Sequence, residues 1–226
     1  MCPYLGGDTC KCLKAGSAYA WSCTVPACGT GVFRAGSGGY VYAPPATGGL
    51  CFFGYAYVAL DSLGTTASTP NDATVRTAAN PPSYQSCGTS CALSVTGTIA
   101  ATSGAFAQIG FSIDQPLSNT AAHGSPLPLG NALMINWSAS ASTPKPLSVV
   151  LVGSDGLYYC GQLTVGPPDT IKYTSFNTKC YDTPADGVAY DPTKIGLSAI
   201  ALQVSPGATS AGYDFTLTDL QDVTVP

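Results

Sequence analysis

Twelve acids, all of them aspartate, one histidine and ten cysteines are the groups of this chain that could do chemistry. Asp219 stands out. In YDFTLTDLQD, Tyr213, Phe215 and Leu217 share one face of an alternating run, and a period of two carries Asp219 onto the same face. A carboxylate aimed at a core needs a partner or a cation, and hard oxygen ligands suit calcium, so Asp219 is a candidate for a structural calcium site; a bulge turning it outward is the alternative. Material for catalysis is thin. His123 stands alone in a Gly/Pro loop without a GxSxG elbow. Glycoside hydrolysis needs two carboxyls at a set separation, and the candidates Asp155, Asp182, Asp186 and Asp191 mostly fall in turns, where aspartate is expected for backbone reasons. Material for binding is richer. Gln108, Asn136, Gln162 and Gln203 fall at outward-facing strand positions, and Tyr158, Tyr159, Tyr173, Tyr181 and Tyr190 crowd one third of the chain. Amides hydrogen-bond sugar hydroxyls and aromatic rings stack on apolar sugar faces, so these residues form a candidate glycan platform. Ordinary solvent-face residues of a sheet would give the same pattern, since tyrosine favours strands anyway. Asn136-Trp137-Ser138 also matches a glycosylation sequon, but in mid-strand.

The elements that must position these groups read as strands. ALMINWSA alternates Leu133, Ile135 and Trp137 with Met134, Asn136 and Ser138, the mark of a half-buried strand. STPKP breaks it, and two further runs, Leu147 to Val152 and Leu157 to Leu163, flank the turn Gly153-Ser154-Asp155-Gly156, so the three predict an antiparallel meander. Leu50 to Leu60 is a strong aromatic strand. Leu93 to Ala101 and Phe106 to Ile113 predict a hairpin through Thr102-Ser103-Gly104, with Ala107, Ile109, Phe111 and Ile113 toward the core. Tyr40 and Tyr42 mark the start of a short strand. TIKYTS (170 to 175), Ile200 to Ser205 and Tyr213 to Val225 complete the set, with one helical turn at Asp191 to Gly196. The sum is an all-β chain of two packed antiparallel sheets in a jelly-roll arrangement. The long polar stretch Asp61 to Ser90 is uncommon for a compact domain and is functional or tied down.

Charged residues make up 9% of the 226 residues, the gap being filled by Gly, Ser, Thr, Ala, Pro and Tyr, as in extracellular β proteins. The net charge of −4 and scattered cations argue against nucleic acid, and no apolar run reaches a membrane span. Ten cysteines in a chain with one histidine read as disulfides in an oxidising compartment rather than as a zinc site. Cys51 with Cys87 or Cys91, and Cys160 with Cys180, are candidate pairs, the latter closing a loop of about twenty residues worth ~3 kcal/mol in the loop-entropy model. Cys2, Cys10, Cys12, Cys23 and Cys28 cannot all pair among themselves, so residues 1–47 read as a Cys/Gly-rich cap or extension on a sandwich of residues 48–226. MCPYLGG lacks the features of a signal peptide, which implies a leader removed or replaced by Met1.

The succession CFFGYAYVAL, CALSVTGTIA, FAQIGFSIDQP, LSVVLVGSDGLYYCGQL, FNTKCYD and AIALQVSPG…YDFTLTDLQD resembles secreted bacterial jelly-roll domains of the galactose-binding-like and carbohydrate-binding-module type, over about residues 48 to 226. The resemblance implies glycan binding on the concave sheet and a structural calcium near the last strand's acid, Asp219; the cysteine-rich first 47 residues depart from it. The expectation is therefore a secreted or cell-surface, non-catalytic carbohydrate-binding domain whose partner is a polysaccharide or other glycan, with no nucleic acid and no membrane insertion. A self-associating structural subunit of an extracellular fibre, appendage or surface layer is the alternative, since low charge and cross-linking cysteines suit close self-packing. A secreted glycan hydrolase comes third.

Overall fold

The computed structural model describes residues 9–15, 18–24, 34–35, 40–43, 49–68, 92–115, 124–163, 166–179 and 187–226, with backbone alone for 9–40, 42 and 68. The strands are β1 (Thr9–Ala15), β2 (Ala18–Thr24), β3 (Arg34–Ala35), β4 (Tyr40–Ala43), β5 (Phe52–Leu60), β6 (Thr66–Ser68), β7 (Leu93–Ile99), β8 (Ala107–Ser112), β9 (Ala132–Ala139), β10 (Ser148–Gly153), β11 (Tyr158–Gln162), β12 (Asp169–Lys172), β13 (Leu197–Val204) and β14 (Ala211–Val223). Among the described residues there is no α-helix, only a 3-10 turn at Tyr173–Ser175.

A seven-stranded sheet runs β11-β10-β13-β8-β5-β4-β3 and a five-stranded sheet β12-β9-β14-β7-β6, while β1 and β2 pair apart as a hairpin. Every pairing is antiparallel. From β5 onward the chain crosses repeatedly between the two sheets, the connectivity of a jelly roll. The two sheets bury Phe52, Val95, Ile109, Phe111, Ile135, Leu151, Ile200, Leu202, Phe215 and Leu217 between them, and this apolar filling is what makes the sandwich stable.

Three local expectations are corrected. Leu93–Ile99 and Ala107–Ser112 are not a hairpin: β7 pairs with β14 and β6, and β8 with β13 and β5. The meander is broken likewise, because β10 and β11 pair but β9 lies in the other sheet between β12 and β14. In both cases the connection is long enough to cross the end of the sandwich rather than turn back in one sheet, and burial decides between the two. β8 is buried on both faces and takes a central place in the larger sheet, whereas β7 and β9 keep one wet face and sit in the smaller one. TIKYTS is a strand only to Lys172; its last three residues form the 3-10 turn that swings Tyr173 inward.

The sandwich is tied together at Asp222. This fully buried carboxylate accepts hydrogen bonds from the backbone N–H of Leu50 (2.7 Å), Leu129 (2.9 Å) and Gly130 (3.0 Å), and from the Tyr173 hydroxyl (3.0 Å). The fit leaves no room for side chains beside it: a Cβ on Gly49 would stand 1.9 Å from the Asp222 carbonyl oxygen, and one on Gly130 would stand 2.7 Å from the carboxylate. Tyr173 continues into a buried tyrosine row, 6.0 Å between ring centroids to Tyr190 and 5.2 Å from there to Tyr159, whose hydroxyl donates to Asp155 at 2.6 Å.

Two predictions follow from this packing. Asp222→Ala strands three backbone donors and a hydroxyl in the core and should lower stability by about 3 kcal/mol or more, with Asp222→Asn in between. The check is urea unfolding, where the midpoint should fall while the slope stays unchanged. The second concerns alkaline pH. Burial, reinforced by Asp155, pushes the Tyr159 hydroxyl up to about 12, and burial raises Tyr173, Tyr190 and Tyr213 as well. The folded state holds these protons more tightly than the unfolded chain, whose tyrosines titrate near 10. Their contribution is therefore complete below pH ~10 and is lost as pH climbs toward 12 and beyond. Urea midpoints should be flat up to about pH 10 and fall steeply above it, less so in Tyr190→Phe.

Candidate functional site

The last strand carries the two acids that matter, and a β-bulge sorts them. β14 pairs Leu217 with Trp137 but Asp219 with Asn136, so Thr218 is an extra residue. Before it, Tyr213, Phe215 and Leu217 face the core; after it, Leu220 and Asp222 do. Asp219 is thereby turned to the solvent side, which corrects the core-facing register expected from period two: one inserted residue inverts the faces of everything downstream. Its carboxylate accepts from the Leu220 N–H (2.9 Å) and from Gln221 Nε2 (2.8 Å). Among the described residues no three His, Cys, Asp or Glu side chains converge as metal ligands would.

Asp219 faces Asn136 across the β14–β9 pair, on the outer face of the five-stranded sheet. Gln221 lies beside Met134, Thr216 beside Ser138, and the Thr216 and Ser94 hydroxyls bond at 2.9 Å on the next strand. The outer positions of β9 and β14 are half-buried or exposed, so this is an open, wet surface of amides, hydroxyls and carboxylates. Its acids are Asp219 and Asp214; Lys172 at its margin donates to the Pro226 carbonyl oxygen at 3.0 Å. The balance is negative, which disfavours anionic ligands. A ligand dense in hydroxyls suits it, because amides and carboxylates can each meet a pair of neighbouring hydroxyls.

The expected platform is not assembled on one face. Asn136 is on the five-stranded sheet, as its alternation implied, whereas Tyr158 (52% exposed) and Gln162 stand on β11 at the edge of the seven-stranded sheet. Gln108 and Gln203 do point away from the core but are buried, and Gln108 Nε2 donates to Gln203 Oε1 at 2.5 Å. Small neighbours in the same outward rows, Gly110, Ala199 and Ala201, are buried too, so the middle of this face is dry. Tyr159, Tyr173 and Tyr190 belong to the core, drawn in by the row that ends on Asp222. Tyr181, His123, Asp182, Asp186, Cys87, Cys91 and Cys180 lie outside the described residues. Cys51 and Cys160 are disulfide-bonded. Asp155 and Asp191 hold turns: Asp155 accepts from the Leu157 N–H and the Tyr159 hydroxyl, and Asp191 accepts from the Thr193 N–H and hydroxyl and pairs with Lys194.

Sequence reasoning passed over Asp222, Gln221, Thr216 and Ser94. The signal for the last three was present, since each is a polar residue on the same side as Asn136 once the bulge is placed. For Asp222 it was hidden, because the bulge alone brings it inward.

The bulge yields a discriminating prediction. Deleting Thr218 leaves Asp219 outside and Asp222 inside, and should cost roughly 1 kcal/mol or less. Deleting Gln221 pulls Asp222 to the wet face and should cost at least as much as Asp222→Ala, or prevent folding. Thermal melts of the two deletions, followed by circular dichroism, separate the cases.

No family model matches the chain, and no curated protein sequence matches it. Among solved structures, it is similar to the family 11 carbohydrate-binding module of the cellulosomal cellulase Lic26A-Cel5E of Clostridium thermocellum, with a TM-score of 0.41 and 12% sequence identity over 76% of this chain and 89% of that chain.

Proposed function

We propose that the chain is a secreted, non-catalytic carbohydrate-binding β-sandwich that meets a glycan with the outer face of its five-stranded sheet. The observation that carries this reading is the pairing of Asn136 with Asp219 across the bulge, flanked by Gln221, Ser138, Thr216 and Ser94 on an open sheet face. These groups offer hydrogen-bond donors and acceptors on a rigid support, where little side-chain ordering is needed on binding. The disulfide-bonded Cys51 and Cys160 are in keeping with an oxidising compartment. Asp61, Asp155 and Asp191 serve turns, and Asp222 serves the core, so these four are occupied by structure.

Polysaccharide pull-down and affinity electrophoresis over a panel of soluble and insoluble glycans test the proposal. At least one glycan should be retained, and Asn136→Ala and Asp219→Ala should each weaken retention about tenfold, the scale of losing one hydrogen bond to a charged or planar polar group. Retention of no glycan, together with ordered oligomers in solution, would sink it in favour of an appendage subunit. Turnover of any glycan would replace it with a hydrolase.

A further inference from the structure

One cluster lies off this face. Trp137 is on the core side of β9, at the corner where β12 stops: β14 pairs with it on one side through Leu217, but Asp169 is the first residue of β12 and pairs with Ile135, so β12 does not reach Trp137 on the other side. The indole Nε1 donates to Asp169 Oδ2 at 2.8 Å, and the Lys145 ammonium sits 4.4 Å from the indole ring centroid. Asp169 is 8% exposed and Trp137 7% exposed, while Lys145 itself is an exposed residue. The other carboxylate oxygen of Asp169 accepts no hydrogen bond among the described residues, and the one ion pair found there joins Lys194 to Asp191, not Lys145 to Asp169. Buried carboxylate oxygens ordinarily accept a hydrogen bond, so this one, beside an aromatic face under an exposed lysine side chain, is an acceptor that a ligand donor could use.

We infer that Trp137, Lys145 and Asp169 form a gated subsite for one amino-sugar unit bearing a free primary amine. The ammonium of Lys145 marks what the ring face accepts, since cations are drawn to the indole quadrupole. An amino sugar brings its own ammonium to that position, sets apolar ring C–H groups against the indole, and offers an N–H or O–H to the spare oxygen of Asp169. Lys145 is then the gate. Its loop is pinned by Thr143, whose hydroxyl donates to the Asp214 carbonyl oxygen and accepts from the Asp214 N–H, both at 2.9 Å. Only the lysine side chain has to move, and the backbone that carries it stays. The inference rests on the carbohydrate reading only for the ligand being a saccharide; the cluster is separate from the Asn136–Asp219 face.

The chain has two tryptophans, Trp21 and Trp137, so a Trp21→Phe background makes Trp137 the sole indole reporter. In that background, chitotriose with protonated amines should shift Trp137 emission saturably in Lys145→Ala, about fivefold more tightly than with Lys145 in place, the scale of one exposed cation over an aromatic ring. Cellotriose, which has hydroxyls where chitotriose has amines, should give no saturable shift, and adding Asp169→Asn should weaken chitotriose about fivefold. No response of Lys145→Ala to chitotriose, an equal response to cellotriose, or equal affinity with and without Lys145 would each overturn the gated subsite. Polysaccharide retention by the same Lys145→Ala protein is measured in parallel. Retention that persists without a fluorescence response sinks the subsite alone, and a fluorescence response without retention on any glycan supports the subsite while sinking the proposed binding face.

Discussion

A carboxylate in an apolar interior is tolerable only when its surroundings replace the water it has lost. Asp222 meets that condition with three backbone amides from two stretches of chain far apart in sequence, Leu50 and Leu129-Gly130, and with the Tyr173 hydroxyl from a third. These donors come from three junctions: Leu50 from the lead into β5, Leu129 and Gly130 from the lead into β9, and Tyr173 from the turn after β12. The last strand therefore does more than pair with β9 and β7. It fixes where strands of both sheets begin, and the glycines at 49 and 130 are the steric counterpart of that contact, because side chains there would collide with the residue being solvated. A neutral apolar residue would fill the space but leave those amides without acceptors, so the acid is a structural necessity once the junctions converge on it.

The bulge at Thr218 links this core device to the surface. Along β14 the residues before it put odd numbers inward and those after it put even numbers inward. Paired without a bulge, the same stretch with Thr218 in the ladder would bury Asp219 and expose Asp222. Asp222 can be inside only because Asp219 is outside, and Asp219 is outside at the place where Asn136 faces it. By taking Thr218 out of the ladder, the bulge lets one strand supply both the anchor of the sandwich and the most polar pairing on its wet face.

What could be read without coordinates was whatever follows from local alternation. The faces of β9 were legible in ALMINWSA, including Asn136 as an outward residue, and so was the core set Ala107, Ile109, Phe111 and Ile113 of β8 and its extension. What failed was non-local. Nothing in residues 100–106 says whether the chain turns back or crosses to the other sheet, since a loop of that length permits both. Tyr159 and Tyr173 looked like platform residues because tyrosine suits either side of a sheet; the donor demand of Asp222 and the acceptor Asp155 drew their hydroxyls into the interior. Gln108 and Gln203 faced outward as expected, yet Gly110, Ala199 and Ala201 share their rows. Such small residues on a supposed wet face are the sign, available in the sequence, that it is closed to solvent.

The two outer faces differ in how much polar surface they leave open. On the seven-stranded sheet, the central outward side chains are small or are buried amides, Gln108 bonded to Gln203 and Gln203 also to Ser205. On the five-stranded sheet, the outward side chains around Asn136 and Asp219 are mostly polar, at least partly exposed, and held by neighbours on the same face, Asp219 by Gln221 and Thr216 by Ser94. Groups held in place without being consumed are what recognition of a hydroxyl-rich ligand requires, because the entropy of ordering them is lost on folding and not again on binding. The Trp137 corner differs from the Asp222 site in this respect: Asp222 has both carboxylate oxygens hydrogen-bonded, whereas Asp169 has one oxygen on the Trp137 indole and an exposed lysine side chain lying over the ring.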